Sequence, residues 1–406
     1  MEKLHPADKA AKERLKRERA AYEKNKTAEI LLVACVLLLL FGVPVLHAVL
    51  PDADYSKREN KTLTQFSELS LSDLLRKDEN GQKKLDLEGY LRAQFPFRDQ
   101  FMALDGARKA LLSLGQSNGI TLTPEGYLLP EEEAYAKEPP LNFTLLQNTV
   151  KAYEQSPCYS GKYDTVFALA GKKSRFVSIL PPDFPTDLLK ENGKRNSALL
   201  KDSGFKTVDL TEVLLQHRTE ELYYRTDHHW TSLGAYYGSA AILAEYGLEI
   251  APLSSYDRQT ATKSFKGTAY TSSGLYFLPG DEMTFFRYEG DEDYTVSLCN
   301  PAGKVSSFRT GFYDLSALEK DHKGTDYDAF VAGVSTPVVR ITGQGEDRPT
   351  LLVIKDSFAH SALPFLAQQF DLITVDLRAK NFSLPAMLEE GEIDGILVLV
   401  SEETLW

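Results

Sequence analysis

Three short apolar runs, Leu351–Ile354, Leu372–Val375 and Ile396–Val400, punctuate the end of the chain and constrain its fold more than any other feature. They are built almost entirely from Val, Ile and Leu, without the polar alternation of a half-exposed strand. That is how a strand buried on both faces reads. The intervening Phe358–Phe370 and Pro385–Glu389 read as helices. Strands alternating with helices predict a parallel sheet covered on both sides, an α/β protein. Phe176–Leu180, closed by Pro181-Pro182, reads as the first strand of the same sheet. Thr207–Leu210 reads as the second, with Thr211–His217 helical after it. Chemistry in such sheets sits at the carboxyl ends of the strands. Ser357, on the turn after Leu351–Ile354, stands there, as does Asp376-Leu377-Arg378 after Leu372–Val375.

A serine on a strand-to-helix turn is exposed beside backbone N–H donors, but it needs a base. The chain has seven histidines, and two are adjacent in Arg225-Thr226-Asp227-His228-His229-Trp230-Thr231. Asp-x-His brings a carboxylate within reach of an imidazole, fixing its tautomer and stabilising the imidazolium. Asp227, His229 and Ser357 are therefore a candidate catalytic triad. His228 is a rival base, although adjacent residues on an extended loop point apart. His360 is another rival, and its place on a first helical turn predicts exposure. Trp230 reads as a core residue, with sugar stacking as the alternative. Arg378 reads as an ion-pair partner, or as an anchor for an anionic or developing-oxyanion group. The bland readings are that Ser357 only caps a helix and that the histidine pair only packs. Gly-x-Ser-x-Gly is absent, so an ordinary α/β-hydrolase elbow is not supported. Asp-His-His also occurs in metal-dependent phosphoesterases, but the chain shares only the triplet with them. Its Asp52-x-Asp54 pair lies beside the apolar amino-terminal run instead of on an earlier strand. No metal or other cofactor is expected. Thr231 is a good N-cap for a helix whose apolar spacing continues to Gly247.

Residues Ile30–Leu50 are nearly all apolar and long enough to cross a bilayer, which takes ~20 helical residues. The preceding Met1–Lys26 carries nine Lys/Arg against five Asp/Glu, whereas the whole chain has a net charge of −12. A basic segment before a span stays in the cytoplasm, so the chain beyond Pro51 is expected outside. A cleaved signal peptide fits less well, because the charged lead is long and no Ala-x-Ala site follows. The acidic remainder disfavours nucleic acid as a partner. The three cysteines, Cys35, Cys158 and Cys299, form no Cys-x-x-Cys pair, and Cys158 with Cys299 could make one disulfide.

Four segments follow: 1–29, a basic cytoplasmic segment; 30–50, the anchor; 51–140, a linker with a helical and hairpin lead-in; 141–406, the α/β domain. Leu71–Leu114 reads as mostly helical with a break at Asp78–Gly81, and Phe95-Pro96-Phe97-Arg98 marks a helix start or an elbow. Ile120–Leu122 and Tyr127–Leu129 suggest a hairpin, and Leu141–Tyr153 an amphipathic helix. Between Ser254 and Asp347 only short β segments and loops are suggested, with one further strand at Pro337–Ile341.

These residues resemble the DHHW proteins, which belong with the SGNH-hydrolase-like alginate O-acetyltransferases AlgX and AlgJ. The resemblance is carried by Arg225–Thr231 with its Ala/Tyr-rich helix and by Ile354-Lys355-Asp356-Ser357-Phe358. Arg58-Glu59-Asn60, Phe95–Arg98, Phe265-Lys266-Gly267-Thr268, Leu363–Leu366 and Val375–Arg378 extend it across nearly everything after the anchor. It implies an SGNH-hydrolase-like three-layer α/β/α domain with permuted motif order, the Asp/His block preceding the serine. It also implies a Ser-His-Asp triad of Ser357, His229 and Asp227, serving O-acetyl transfer to, or ester hydrolysis on, an exported cell-envelope polysaccharide. A membrane-bound O-acyltransferase (MBOAT) is the implied partner. The chain departs from the family pattern at Lys355, where a glycine is usual, and in having no Gly-x-Asn-Asp block. A catalytically silent glycan-binding relative is therefore the alternative.

Overall fold

The computed structural model describes residues 6–56, 59, 61–69, 87–112, 115–136, 138–300, 304–331, 338–376 and 388–406. Two compact units emerge: Met1–Ser56 with Thr62–Phe101, and Lys57–Lys61 with Met102–Trp406.

The first unit holds the apolar run. Helices Pro6–Leu37 and Val43–Val49 are joined by a π-helical turn, Leu38–Gly42. Pro44 explains the slip, since its ring lacks an N–H and collides with the carbonyl four residues back. Lys26–Val49 is a 24-residue stretch long and apolar enough to cross a membrane. In the helix Leu87–Ala93, Tyr90 packs between the rings of His47 and Phe66 and donates its hydroxyl to Asp52 Oδ1. The expected helix start at Phe95–Arg98 is real: Phe97 takes a left-handed φ of 57° and the helix Arg98–Leu112 begins at once. Arg58, Asn60, 70–86 and Pro385–Met387 lie outside the described residues, so the readings placed there have no structural counterpart here.

The second unit is built on an eight-stranded sheet. Its spatial order is 305–310, 295–299, 338–342, 371–376, 350–355, 395–401, 166–170, 206–209. The last five run parallel, and the first three add antiparallel pairings at one edge. The period of two along each strand sorts the side chains onto opposite faces. Leu351, Val353, Leu397 and Leu399 join Val166 and Ala168 in one core, against the helix Ser232–Glu245. Leu352, Ile354, Val398 and Val400 join Phe167 and Leu169 in the other, against the helix Leu141–Glu154. Burial on both faces makes the three layers α/β/α, the SGNH-hydrolase-like arrangement.

The first parallel strand is Val166–Ala170 and not Phe176–Leu180. Its five residues are all buried, and its three alternate small or β-branched members, Val166, Ala168 and Ala170, let the helix layer approach. Phe176 instead closes a 3₁₀ turn and stacks on Tyr223 with ring centroids 4.8 Å apart. The helix expected over Phe358–Phe370 is also shorter and broken: a 3₁₀ turn, Ser357–Ser361, then Leu363–Leu366. Pro364 has no N–H to continue a longer helix into it. The weakly patterned 254–347 stretch supplies the antiparallel ribbon Asp257–Phe265 with Asp281–Arg287 and three strands of the main sheet's edge, 295–299, 305–310 and the expected one at 338–342. The hairpin at Ile120–Leu122 and Leu128–Pro130 forms as read. Cys158 and Cys299 are buried free thiols, so no disulfide joins them.

Candidate active site

The Thr350–Lys355 strand ends at Asp356, whose side chain builds the turn that carries Ser357. Its Oδ1 accepts the Phe358 N–H at 2.9 Å, while Oδ2 accepts the Ser401 N–H, the Ser401 hydroxyl and the Thr404 hydroxyl at 2.6–2.8 Å. One carboxylate thus locks the serine turn to the end of the neighbouring strand. Phe358 N–H is thereby spent and unavailable to an oxyanion. Lys355 stands where a glycine was expected. It is buried and meets Asp376, its directly registered neighbour on the adjacent parallel strand, at 3.2 Å. Its Nζ also lies 2.8 Å from His360 Nε2. His360 is therefore a core residue, contrary to the exposure its first-turn position suggests, and it does not meet Ser357.

The aspartate–histidine loop enters the helix Ser232–Glu245, whose Thr231 cap accepts the Gly234 N–H. Trp230 is wholly buried, and its indole N–H donates to the Phe358 carbonyl and the Ser361 hydroxyl, both at 2.9 Å. It offers no face to a sugar; it ties the histidine loop to the serine turn. Gly238 makes room for it, since a Cβ there would sit 2.8 Å from the indole ring.

That tie brings Asp227, His229 and Ser357 together. His229 Nε2 lies 2.7 Å from Ser357 Oγ, and His229 Nδ1 lies 2.5 Å from Asp227 Oδ1. The same Oδ1 accepts the His229 backbone N–H at 2.9 Å, and Oδ2 accepts the Thr268 N–H at 2.8 Å and its hydroxyl at 3.2 Å. Burial alone would raise the Asp227 carboxyl, but His228 and His229 outweigh it and hold the group well below the usual carboxylate range. Asp227 is thus ionised at neutral pH and poised to orient the ring.

His228 lies beside this line without joining it, its ring centroid 3.9 Å from that of His229 and its Nδ1 3.7 Å from Asp227 Oδ1. Its Nδ1 bonds the Thr268 hydroxyl at 2.7 Å, and burial followed by the adjacent His229 lowers its proton affinity. Arg378 lies outside the described residues. Asp227, His228 and His229 each bring a ligand-type atom within 4.8 Å of the others. Both ring nitrogens of His229 already serve Asp227 and Ser357, so an ion there would have to break that chain of hydrogen bonds.

Three supporting residues carry no signal in periodicity or spacing. Lys173, fully buried, donates to the carbonyls of Arg225 (3.0 Å) and Asp227 (2.7 Å) from beneath the loop. Burial pulls its ammonium down to about 8, against the pull of Asp227, Asp281 and Glu403. Asp281 accepts the N–H groups of Arg225 and Thr226 and the Thr226 hydroxyl. Tyr327 lies flat on the His229 ring.

A three-layer α/β/α body thus holds a serine, a histidine and an aspartate in one hydrogen-bonded line. Residues 198–376 match the DHHW protein family. The fold is similar to a DHHW family protein from Eubacterium siraeum at 20% identity and a TM-score of 0.57, covering 72% of this chain and 93% of that one. It is also similar to Bacillus cereus PatB1 at 21% identity and a TM-score of 0.53, covering 70% and 96%. PatB1 with a sulfonyl adduct gives 20% identity and a TM-score of 0.51 over 70% and 97%. No curated protein matches the sequence.

Proposed function

We propose that this chain is a serine-type O-acetyltransferase acting on a cell-envelope polysaccharide outside the cytoplasmic membrane. The observation that carries the reading is the continuous line Asp227–His229–Ser357 at the strand ends. In this reading His229 Nε2 takes the Ser357 proton as Oγ bonds to an acetyl carbonyl carbon. The bond from that carbon to the donor's oxygen then breaks, and His229 returns the proton to the leaving oxygen. A sugar hydroxyl repeats the sequence in reverse, His229 taking its proton and Ser357 leaving with it. Asp227 holds the ring and stabilises its charged form. The Ser357 N–H faces the developing oxyanion, with Arg378 as a further donor. Water in place of the sugar gives an acetylesterase. A membrane-bound O-acyltransferase is the partner that would present acetyl groups. The alternative, a glycan-binding protein without turnover, is favoured by the loss of Phe358 N–H to Asp356.

Full-length protein in detergent, given an activated acetyl ester with and without polysaccharide, separates these readings. Acetylated glycan supports transfer, free acetate alone supports an esterase, and glycan binding without either supports the silent relative. An aryl sulfonyl fluoride, prompted by the adduct in Bacillus cereus PatB1, should add its mass at Ser357 and nowhere in Ser357→Ala.

The apolar helix over Lys26–Val49 supports an uncleaved single-span anchor with the amino end inside. Protease added to intact cells should then remove a carboxyl-terminal tag, and a protected tag would reverse this topology.

A further inference from the structure

We propose that Tyr327 is a positioning residue of this site, its ring holding the His229 imidazole in the plane that joins Asp227 to Ser357 and steadying that ring when it is charged. The inference rests on the triad reading above. Tyr327 comes from the 3₁₀ turn Asp326–Ala329, a turn closed by reciprocal bonds between Thr325 and Asp328. Its ring is buried, with its centroid 4.0 Å from that of His229 and the planes within 10°. Its hydroxyl reaches the Ser357 carbonyl at 3.3 Å and the Ser361 hydroxyl at 3.2 Å. One side chain therefore touches the base with its face and the nucleophile's backbone with its tip.

The need for such a face follows from the hydrogen bonds. An imidazole held only at Nδ1 and Nε2 can rock about the line through those two atoms without lengthening either bond. A flat ring at stacking distance removes that freedom. The other rings against His229 are tilted, His228 by 36° at 3.9 Å and Phe358 by 49° at 5.1 Å, so Tyr327 alone among the described residues lies parallel to it. The same face matters to charge. When His229 carries a proton, an aromatic face within ~6 Å attracts the cation. Burial raises the Tyr327 hydroxyl well above its ordinary range, so it stays neutral and takes no proton itself. The charged or titratable groups around the pair include Asp227 and His228 on the loop, Lys173 beneath it, Asp356 under the serine turn, and His360, whose ring lies 6.2 Å from that of Tyr327.

The test uses the full-length protein in detergent with Tyr327→Phe and Tyr327→Leu. Titration of the His229 ring is followed by nitrogen NMR, assigned by its loss in His229→Ala, beside kcat and KM for an acetyl ester. Phe keeps the face, so the His229 titration should stay in place and kcat should fall no more than about threefold. Leu keeps the site apolar but removes the face. His229 should then titrate about half a pH unit lower, and kcat should fall about tenfold with KM little changed. Tyr327→Met stands in if the Leu variant lacks a cooperative melt. A folded Leu or Met variant with the wild-type titration and kcat overturns the proposal. So does a Phe variant impaired as much as Leu, because the hydroxyl's hold on the turn would then be the whole effect. The titration needs no turnover, so it reports on the Tyr327–His229 pair even if Ser357→Ala shows that ester activity arises elsewhere.

Discussion

Ser357→Ala will bring acetyl-ester turnover down by about 10⁴-fold or more, and His229→Ala will do the same. The geometry sets this expectation, because His229 is the only imidazole among the described residues within hydrogen-bond reach of Ser357 Oγ. Neither residue has a substitute: His228 bonds Thr268, and His360 lies against Lys355. The two act as one unit, so the double variant should lose little more than either single one. Asp227→Asn should lose less. Its amide has one oxygen, so it can accept at only one of the two positions that Oδ1 and Oδ2 now fill, and it no longer stabilises the charged ring. His228→Ala should be mild. Initial rates on protein shown to melt cooperatively decide the matter. A folded Ser357→Ala with full activity sinks the mechanism. Loss of activity in His228→Ala with retention in His229→Ala reassigns the base.

Much of this site is legible in the sequence because its parts obey local rules. The apolar runs Leu351–Ile354, Leu372–Val375 and Ile396–Val400 can be buried only as central strands, and they all are. Thr231 caps a helix wherever that helix packs, and Asp-x-His lies on the loop before it. What escaped reading is set by tertiary contact. Val166-Phe-Ala-Leu-Ala carries too many alanines to look like a strand, yet burial between two helix layers favours small side chains there. Phe176–Leu180 has better β residues but no sheet neighbour. Lys355 looks damaging at a turn until its register partner Asp376 is seen one strand away. Tyr327 and Asp281 come from the long weakly patterned insertion, where no period announces that a side chain faces a site.

Gly267→Ala is the substitution outside the triad expected to cost most activity. Gly267 has φ −88° and ψ −166°, a backbone conformation open to any residue, so the glycine is required by space alone. A Cβ at this position would lie 2.1 Å from Asp227 Oδ2, 2.2 Å from its Cβ and 2.5 Å from its Cγ. These are distances at which one partner must move. Asp227 has little room to give way: Oδ1 is held by His229 and Oδ2 by the Thr268 N–H and hydroxyl. Displacing the segment therefore draws Thr268 off the carboxylate, or turns the carboxylate away from His229. Overpacking of this kind costs about 1–3 kcal/mol of stability, and a misplacement near 1 Å at a reacting group costs roughly 10²-fold in rate. The expected protein melts cooperatively at a lower temperature, with kcat down by about 10² or more and KM little changed. Thr268→Val separates the two contributions. It removes only the hydroxyl's bonds to Asp227 and His228 while keeping the backbone N–H, and should fall by about tenfold at most. Sulfonyl labelling of Ser357 should slow in the same order, because it reads the same activation by His229. A folded Gly267→Ala protein turning over at the wild-type rate would show that the Asp227 carboxylate can leave its present seat without consequence, and the orienting role assigned to it would fall.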